Sequence, residues 1–356
     1  MSAQPVMHAG YVGAETQAGL KVRPHAPADD AAWDRYAESH AGYTLYHGRA
    51  FHRAVAEAFG KPSHGLVAEN GAGRIVGVLP LIRQKSWLFG DRLVSLPYTN
   101  HGGPLADSPG IAVALFGAAD ARGDELGCKR LEVRDHVARE LDWPMHTDKV
   151  LMTRVLPDSV EALGKELGAK LRSQCRRALK EGAEVVHGGA ELIPEFYRVF
   201  AVNMRDLGTP VYPRRWFEVL ARHLGGVMHL VVVRLAGKPV AGCVLLRWLD
   251  TMEIPWAASD RTCNRFSVNM LLYREALEHA IRTGCKHFDF GRSTRDSGPH
   301  RFKQQWGAEE TPIYWRTQPA SEGTGRASER LRESWKRLPL PVANSLGPMI
   351  SASLPW

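Results

Sequence analysis

Cysteine is scarce in this 356-residue chain, with five in all and no two in a C-x-x-C arrangement. Cys128, Cys175, Cys243, Cys263 and Cys285 are odd in number, which argues against a disulfide framework and against a structural zinc site. Long apolar runs are missing too. No stretch approaches the ~18 consecutive apolar residues of a membrane-spanning helix, and residues 1–20 hold no apolar core of the length an export signal requires. A cytoplasmic location is therefore expected. The sequence contains no G-x-x-x-x-G-K-[ST], no H-E-x-x-H and no G-x-S-x-G. Gly71-Ala72-Gly73 lies in a hairpin turn and opens no helix, so it is not a dinucleotide loop. The fifteen histidines show no metal-ligand spacing along the chain, and no metal is expected.

What is present is an ordinary globular composition, 44% hydrophobic and 24% charged, long enough for two domains of about 150 residues. The net charge of +8 makes an acidic partner plausible: a nucleotide, a nucleic acid or an anionic membrane surface. Two pairs of landmarks repeat. Gly73 to Leu79 resembles Gly237 to Leu245, each opening the second strand of a hairpin, and Gly127 to Val133 resembles Gly284 to Phe290, each ending a helix and starting a strand. The offsets, 237 − 73 = 164 and 284 − 127 = 157, point to a duplicated mixed α/β domain. The expected division is a flexible tail over 1–19, a first domain over 20–156, a second over 157–317, and a linker with an amphipathic tail over 318–356. In the second copy, helices are expected over 193–207, 213–224 and 266–283, with three strands over 227–258. One further helix, over 159–181, carries five basic residues between Lys170 and Lys180.

Chemistry concentrates in Phe288 to Gly307, where a strand runs into a loop of Ser, Thr, Gly and cations and then a short helix. Ser297 is placed to cap that helix, with Pro299 in its first turn. Arg292, Arg295 and Arg301 beside the helix start suggest an anion site. Phe288 and Phe290 fall on one face of the strand and Asp289 on the other.

Asp289-Phe290-Gly291-Arg292-Ser293, Ser297-Gly298 and Phe302-Lys303-Gln304-Gln305-Trp306-Gly307 resemble the C-terminal signature of FemAB-type transferases, as do Ser95-Leu96-Pro97-Tyr98 and Gly102-Gly103-Pro104. The chain is most similar to the FemAB-related subgroup associated with exosortase/PEP-CTERM and exopolysaccharide systems. The resemblance implies two tandem GNAT-like domains, an α/β (mixed α+β) fold. It implies acyl or aminoacyl transfer to an amine of an envelope-related acceptor, whether exopolysaccharide, peptidoglycan-type or lipid-linked precursor. It also places Lys303 at the family's functional lysine, where a fixed cation would stabilise a tetrahedral oxyanion. Glu253 and Asp289 are the other catalytic candidates. Arg292, Ser293, Ser297, Gly298, Arg301 and Trp306, with Tyr98, Asn100 and His101 from the first domain, are the expected substrate contacts. No tightly bound cofactor is expected; the donor is aminoacyl-tRNA, with tRNA then a partner, or acyl-CoA, and DNA is not among the expected partners. Residues 261–269 lack the usual coenzyme A loop, Gln/Arg-x-x-Gly-x-Gly/Ala, which favours the first donor. A conventional acyl-CoA N-acetyltransferase and a non-catalytic GNAT-like component of polysaccharide assembly stay open as alternatives. Leu331, Trp335 and Leu338 at helical spacing among cations suggest peripheral contact with the inner face of an anionic membrane.

Overall fold

The computed structural model describes residues 19–86, 90–146, 148–319 and 325–354. Residues 1–18 of the tail expected over 1–19, and 320–324 of the expected linker, lie outside them. The first half runs β1 (Lys21–Pro24), α1 (Asp30–Ser39), α2 (Arg49–Phe59), β2 (Leu66–Glu69), β3 (Ile75–Leu79), β4 (Ile82–Ser86), β5 (Gly90–Val94), β6 (Leu105–Ala106), α3 (Pro109–Glu125) and β7 (Arg130–Asp135). Two further strands follow, β8 (Met145–His146) and β9 (Lys149–Val155), and then α4 (Val160–Glu166) and α5 (Ala169–Lys180). The second half follows the same order with three strands in place of β2 to β6: β10 (Ala183–Gly188), α6 (Ile193–Asp206), α7 (Arg214–Leu224), β11 (Met228–Leu235), β12 (Lys238–Trp248), β13 (Thr251–Ser259), α8 (Val268–Arg282) and β14 (His287–Thr294). The chain closes with α9 (Gly298–Gln304), β15 (Glu309–Pro312), β16 (Tyr314–Gln318), α10 (Gly325–Lys336) and α11 (Leu340–Ser351).

The repeated landmarks sit where the spacing places them. Both Gly-containing hairpins form, β2–β3 and β11–β12, and Gly127 and Gly284 end α3 and α8. The halves join through equivalent helices. On α2, Phe51, Ala54 and Val55 recur at i, i+3 and i+4 and are buried; on α7, Trp216, Phe217, Val219 and Leu220 are. These faces pack together, with Trp216 edge-on to Phe51 at 5.8 Å and tilted on Phe59 at 5.0 Å. Truncating one such buried aromatic to alanine costs about 3–5 kcal/mol, so the halves share one core rather than meeting as separable bodies.

Two sequence expectations are corrected. Helix 159–181 is two helices, because Leu167 and Gly168 are extended; the break lets Leu163, Leu167 and Leu171 all reach the core. The division at 156/157 does not separate the sheets either. β9, within 20–156, pairs antiparallel with β14 and β15 in the second-half sheet, while β16, within 157–317 but for Gln318, pairs with β7 in the first. Each half lends the other a strand.

The second-half sheet has seven strands in the order β10-β11-β12-β13-β14-β9-β15. In the first half the strands fall into two sheets, β1-β2-β3-β6 and β4-β5-β7-β16-β8, and the chain passes between them at Pro80, which has no amide hydrogen for a ladder. In the long sheet, β13 and β14 are parallel for only three pairs: Thr251 with His287, Met252 with Phe288, and Glu253 with Asp289. Both strands then continue apart, and the gap between them is a cleft.

Candidate active site

A cavity of about 270 Å³ occupies the splay, lined by Ile254 to Ala257 of β13, Phe290 to Arg292 of β14, and Lys303. Tyr46, Tyr98, Thr99 and Asn100 of the first half form another wall. A bulge aims β14 at this space. Asp289 pairs with Thr153 and Arg292 with Leu151, so Phe290 and Gly291 together face one residue. Gly291 takes φ +74°, the left-handed conformation that glycine adopts without strain. Without the extra residue, alternation would put Arg292 on the face opposite Asp289; with it, both face the cleft.

Glu253 is fully buried on β13. It accepts hydrogen bonds from the Tyr46 hydroxyl and, at 3.3 Å, from Asn100 Nδ2. Burial, then the nearby charge of Asp289, pushes its carboxyl up to about 7, poised to exchange a proton near neutrality. Asp289 is held on both oxygens, by the Gly291 amide at 2.6 Å and by His101 Nε2 at 3.0 Å. Burial opposes charge on His101, but the hydrogen bond and charge of Asp289, with the charge of Glu253, outweigh it and raise the imidazole pKa. His101, Glu253 and Asp289 bring ligand-type atoms within 4.8 Å of one another, yet these hydrogen bonds occupy them, so the group reads as a proton network.

Lys303 Nζ donates to the carbonyls of Gly291 at 3.1 Å and Arg292 at 2.9 Å, leaving its third hydrogen for the cavity it lines. Burial brings this ammonium down to about 8, against the attraction of Asp289 and Glu253. Arg292 has no ion-pair partner among the described residues; its guanidinium lies over the Trp315 ring at 4.6 Å. Arg134 covers the same ring at 4.3 Å. Burial, then the charge of Arg134, lowers Arg292 to about 10. The cleft thus holds a buried carboxyl that titrates near neutrality and two cations with room for an anion.

Of the sequence candidates, Glu253, Lys303, Arg292, Asn100 and Tyr98 line the cavity, with Asp289 and His101 directly behind. Tyr98 turns its hydroxyl to the carbonyl of Ala352, at 2.8 Å. Ser297 caps α9, accepting from the His300 amide. Gly298 lines a neighbouring hollow with Pro299 and Phe302. Three expectations are corrected. Trp306 contacts no substrate space, because its ring is fully buried in the core beside Tyr273 and Phe302. Ser293 is buried with its Oγ unpartnered and does not line the cavity. The anion site at the start of α9 is dispersed: Arg295 pairs with Glu310, Arg301 bonds the Asp296 carbonyl, and only Arg292 enters the cleft. Tyr46, Arg134 and Trp315 were not legible in the sequence, lying 207, 158 and 23 residues or so from their cleft partners (253 − 46, 292 − 134, 315 − 292).

Residues 169–304 match the acetyltransferase (GNAT) domain family. Among curated protein sequences, none matches this chain. Solved structures resemble it along most of its length. FemX is 13% identical with a TM-score of 0.59, covering 83% of this chain and 96% of that one. A tandem GNAT protein from the clavulanic acid biosynthesis pathway is 13% identical, at a TM-score of 0.54 and coverage of 85% and 99%. L-PGS from Bacillus licheniformis is 13% identical, at 0.53 and coverage of 89% and 99%. The chain has the tandem GNAT fold, and its second half is a GNAT-type acyltransferase domain.

Proposed function

We propose that this protein transfers an aminoacyl group from aminoacyl-tRNA to an amine of an envelope precursor in the cleft between β13 and β14. The observation that carries the transfer chemistry is the convergence there of Glu253, Lys303 and Arg292. Glu253 takes the proton that the attacking amine must lose. The nitrogen bonds to the acyl carbon, the carbonyl oxygen gains charge beside Lys303, and collapse breaks the ester bond to the ribose oxygen, which leaves with the proton that Glu253 took. Arg292 holds an anionic group of donor or acceptor.

The surface beside the cleft supports tRNA as donor. Residues 261–266, before α8, form a 3-10 turn in which Asp260 and Asn264 carbonyls already take the Cys263 and Ser267 amides. Few amides are left there for a coenzyme A pyrophosphate. This turn packs against α5, whose Lys170, Arg172, Arg176, Arg177 and Lys180 are exposed and make no ion pair among the described residues. Such a cationic face suits a polyanion. The envelope acceptor, and its exosortase or exopolysaccharide setting, follow from the resemblance to FemAB-type transferases.

Incubating the protein with radiolabelled aminoacyl-tRNA or acyl-CoA, with amine-bearing precursors, tests this reading. Label moving from tRNA, with KM for tRNA raised at least tenfold by Arg176→Glu/Arg177→Glu, is expected; transfer from acyl-CoA alone replaces the donor. Comparing envelope glycans and peptides of wild-type and deletion strains by mass spectrometry then identifies the acceptor.

A contact with anionic lipid is favoured by one further observation. Of the expected stripe Leu331 is exposed, while Trp335 and Leu338 are half-buried, and α10 and α11 pack on α6. In addition α11, not anticipated from its prolines, exposes Val342, Leu346 and Met349 at i, i+4 and i+7, with Arg330, Arg332 and Lys336 on α10 and Arg337 just after it nearby in sequence. No helix among the described residues is long and apolar enough to cross a membrane. Sedimentation with anionic vesicles that fades with salt and is lost in Leu346→Glu/Met349→Glu supports the contact; equal sedimentation of that variant removes it.

A further inference from the structure

The opposite face of the long sheet carries a second cluster of chemistry-bearing side chains. Alternation separates the faces: Leu230 and Val232 of β11 pack with Tyr46 and Trp256 on the cleft side, while Val231 and Val233 pack with α8. His187 on edge strand β10 pairs with Val231, and His229 is two residues before Val231, so both imidazoles emerge on the α8 side as diagonal neighbours. His279, in the last turn of α8, descends on them. Its ring stacks on that of His229 at 3.8 Å and 9°, and the His187 ring is 5.6 Å away.

Three imidazoles from three elements, 42 and 50 residues apart (229 − 187, 279 − 229), place ligand nitrogens all within 4.8 Å. His187 Nδ1 is 3.2 Å from His229 Nε2. Two imidazoles on one tetrahedral ion, with bonds of about 2.0–2.1 Å, hold their nitrogens about 3.3–3.4 Å apart. A carboxylate stands behind. Glu275, one turn before His279 on α8, approaches His187 Nε2 at 3.5 Å. A proton on Nε2, facing Glu275, leaves the Nδ1 lone pair directed into the cluster, the usual carboxylate–histidine–metal arrangement. Glu275 is itself held by Arg274 at 2.8 Å. The His279 nitrogens have no protein partner among the described residues.

The geometry points to a binding site for one divalent transition-metal ion of the zinc class, held by His187, His229 and His279 with Glu275 as outer-shell partner. Imidazole suits zinc, nickel and copper and disfavours calcium and magnesium. Binding requires the stacked His229 and His279 rings to fan apart so that their lone pairs converge. His187 is exposed, which leaves the fourth position to water. Such an ion would pin the edge strand and the end of α8 to β11, a clamp on the sheet's outer face rather than a participant in acyl transfer.

The test uses the full chain without a polyhistidine tag, stripped by chelator and titrated with zinc against a chromophoric competitor. The expected result is one zinc per chain at micromolar or tighter Kd, with a rise of several degrees in Tm that chelator reverses. Binding weakens at least a hundredfold in His229→Ala/His279→Ala, and ten- to a hundredfold in Glu275→Gln. Undiminished stoichiometric binding by the double variant overturns the site, as does wild-type binding only at millimolar zinc. Zinc lost in Asp289→Asn but kept in the double variant assigns the ion to the cleft group His101, Glu253 and Asp289 and equally overturns it. Should the double variant misfold, the single His279→Gln change and the visible spectrum of the wild-type cobalt(II) complex decide. Intense four-coordinate bands lost in His279→Gln uphold the site; faint six-coordinate bands, or bands that persist in the variant, reject it.

Discussion

The two halves of this protein follow one order of elements and reach different ends. In each, a parallel ladder of three pairs joins two strands across the long helix, β13 to β14 across α8 and β5 to β7 across β6 and α3. In the second half its last pair is Glu253 with Asp289; in the first it is Val94 with Glu132. Valine in place of the buried glutamate removes the titrating group, and the first-half strand β7 carries no glycine bulge. What the first half supplies is support. The turn around Tyr46 and the loop 98–101 reach across to hold Glu253 and Asp289, and Arg134 braces Trp315 beneath Arg292. Duplication gives the scaffold twice, and in the proposed mechanism a few buried polar residues decide which copy reacts.

The sharpest way to break this comparison is to neutralise one acid from the last pair of each ladder, Glu253 and then Glu132. Glu253→Gln is expected to lower kcat by about 10²–10⁴-fold, the range of a general base, whereas Glu132→Gln changes kcat less than threefold. Comparable losses in steady-state turnover would mean that the halves are not functionally distinct. Lys303→Ala comes next, at least tenfold, or about 1.4 kcal/mol of transition-state stabilisation. Lys303→Arg does not fully restore it, because the planar guanidinium does not fit between the carbonyls of Gly291 and Arg292. Wild-type turnover in Lys303→Ala would take the lysine out of the reaction.

The same two groups set the pH dependence. Glu253, raised to about 7, is ionised and competent only above that value. Lys303, lowered to about 8, is charged only below that one. kcat/KM is therefore expected to rise through about pH 7 and fall above about pH 8. Residual activity of Glu253→Gln should lose the acid limb and keep the alkaline one. A flat profile between pH 6 and 9 in the wild type would contradict both assignments.

How much of this was legible depends on whether a feature is local. The repeat was readable because hairpin turns and helix stops are written in neighbouring residues such as Gly73, Gly127, Gly237 and Gly284. So was the cap at Ser297. Trp306 was misread because aromatic residues beside a cationic loop look the same in sequence whether they face a substrate or a core; only the packing of Tyr273 and Phe302 around it decides. Tyr46, Arg134 and the three clustered histidines carry no local signature at all, since register and helix crossing bring them together. The bulge lies between. Gly291 stands in the signature, but its effect on Arg292 depends on β9 as partner. Gly291→Ala tests that dependence: an alanine at φ +74° costs about 1–3 kcal/mol of stability, and its Cβ would lie 3.3 Å from Asn100 Nδ2. Denaturant midpoints should fall, and KM should rise as Arg292 is displaced. An unchanged KM would show that the bulge does not set its position.

The smallest expected effect concerns where the first half stops supporting and starts binding. Tyr98 lines the cavity, yet its ring is packed on Phe59 at 4.5 Å and its hydroxyl donates to Ala352 just beyond α11. The hydroxyl therefore fastens the C-terminal helix to the first half, while Gly347 lies against Val211 of the second. Tyr98→Phe keeps the ring and removes only the hydrogen bond, so it should cost about 1 kcal/mol, read as a lower denaturant midpoint at unchanged slope. KM and kcat should stay within twofold of wild type, because no substrate contact is lost. The opposite pattern, an unaltered midpoint with a KM raised several-fold, would make Tyr98 a binding residue and place the first half inside the chemistry rather than behind it.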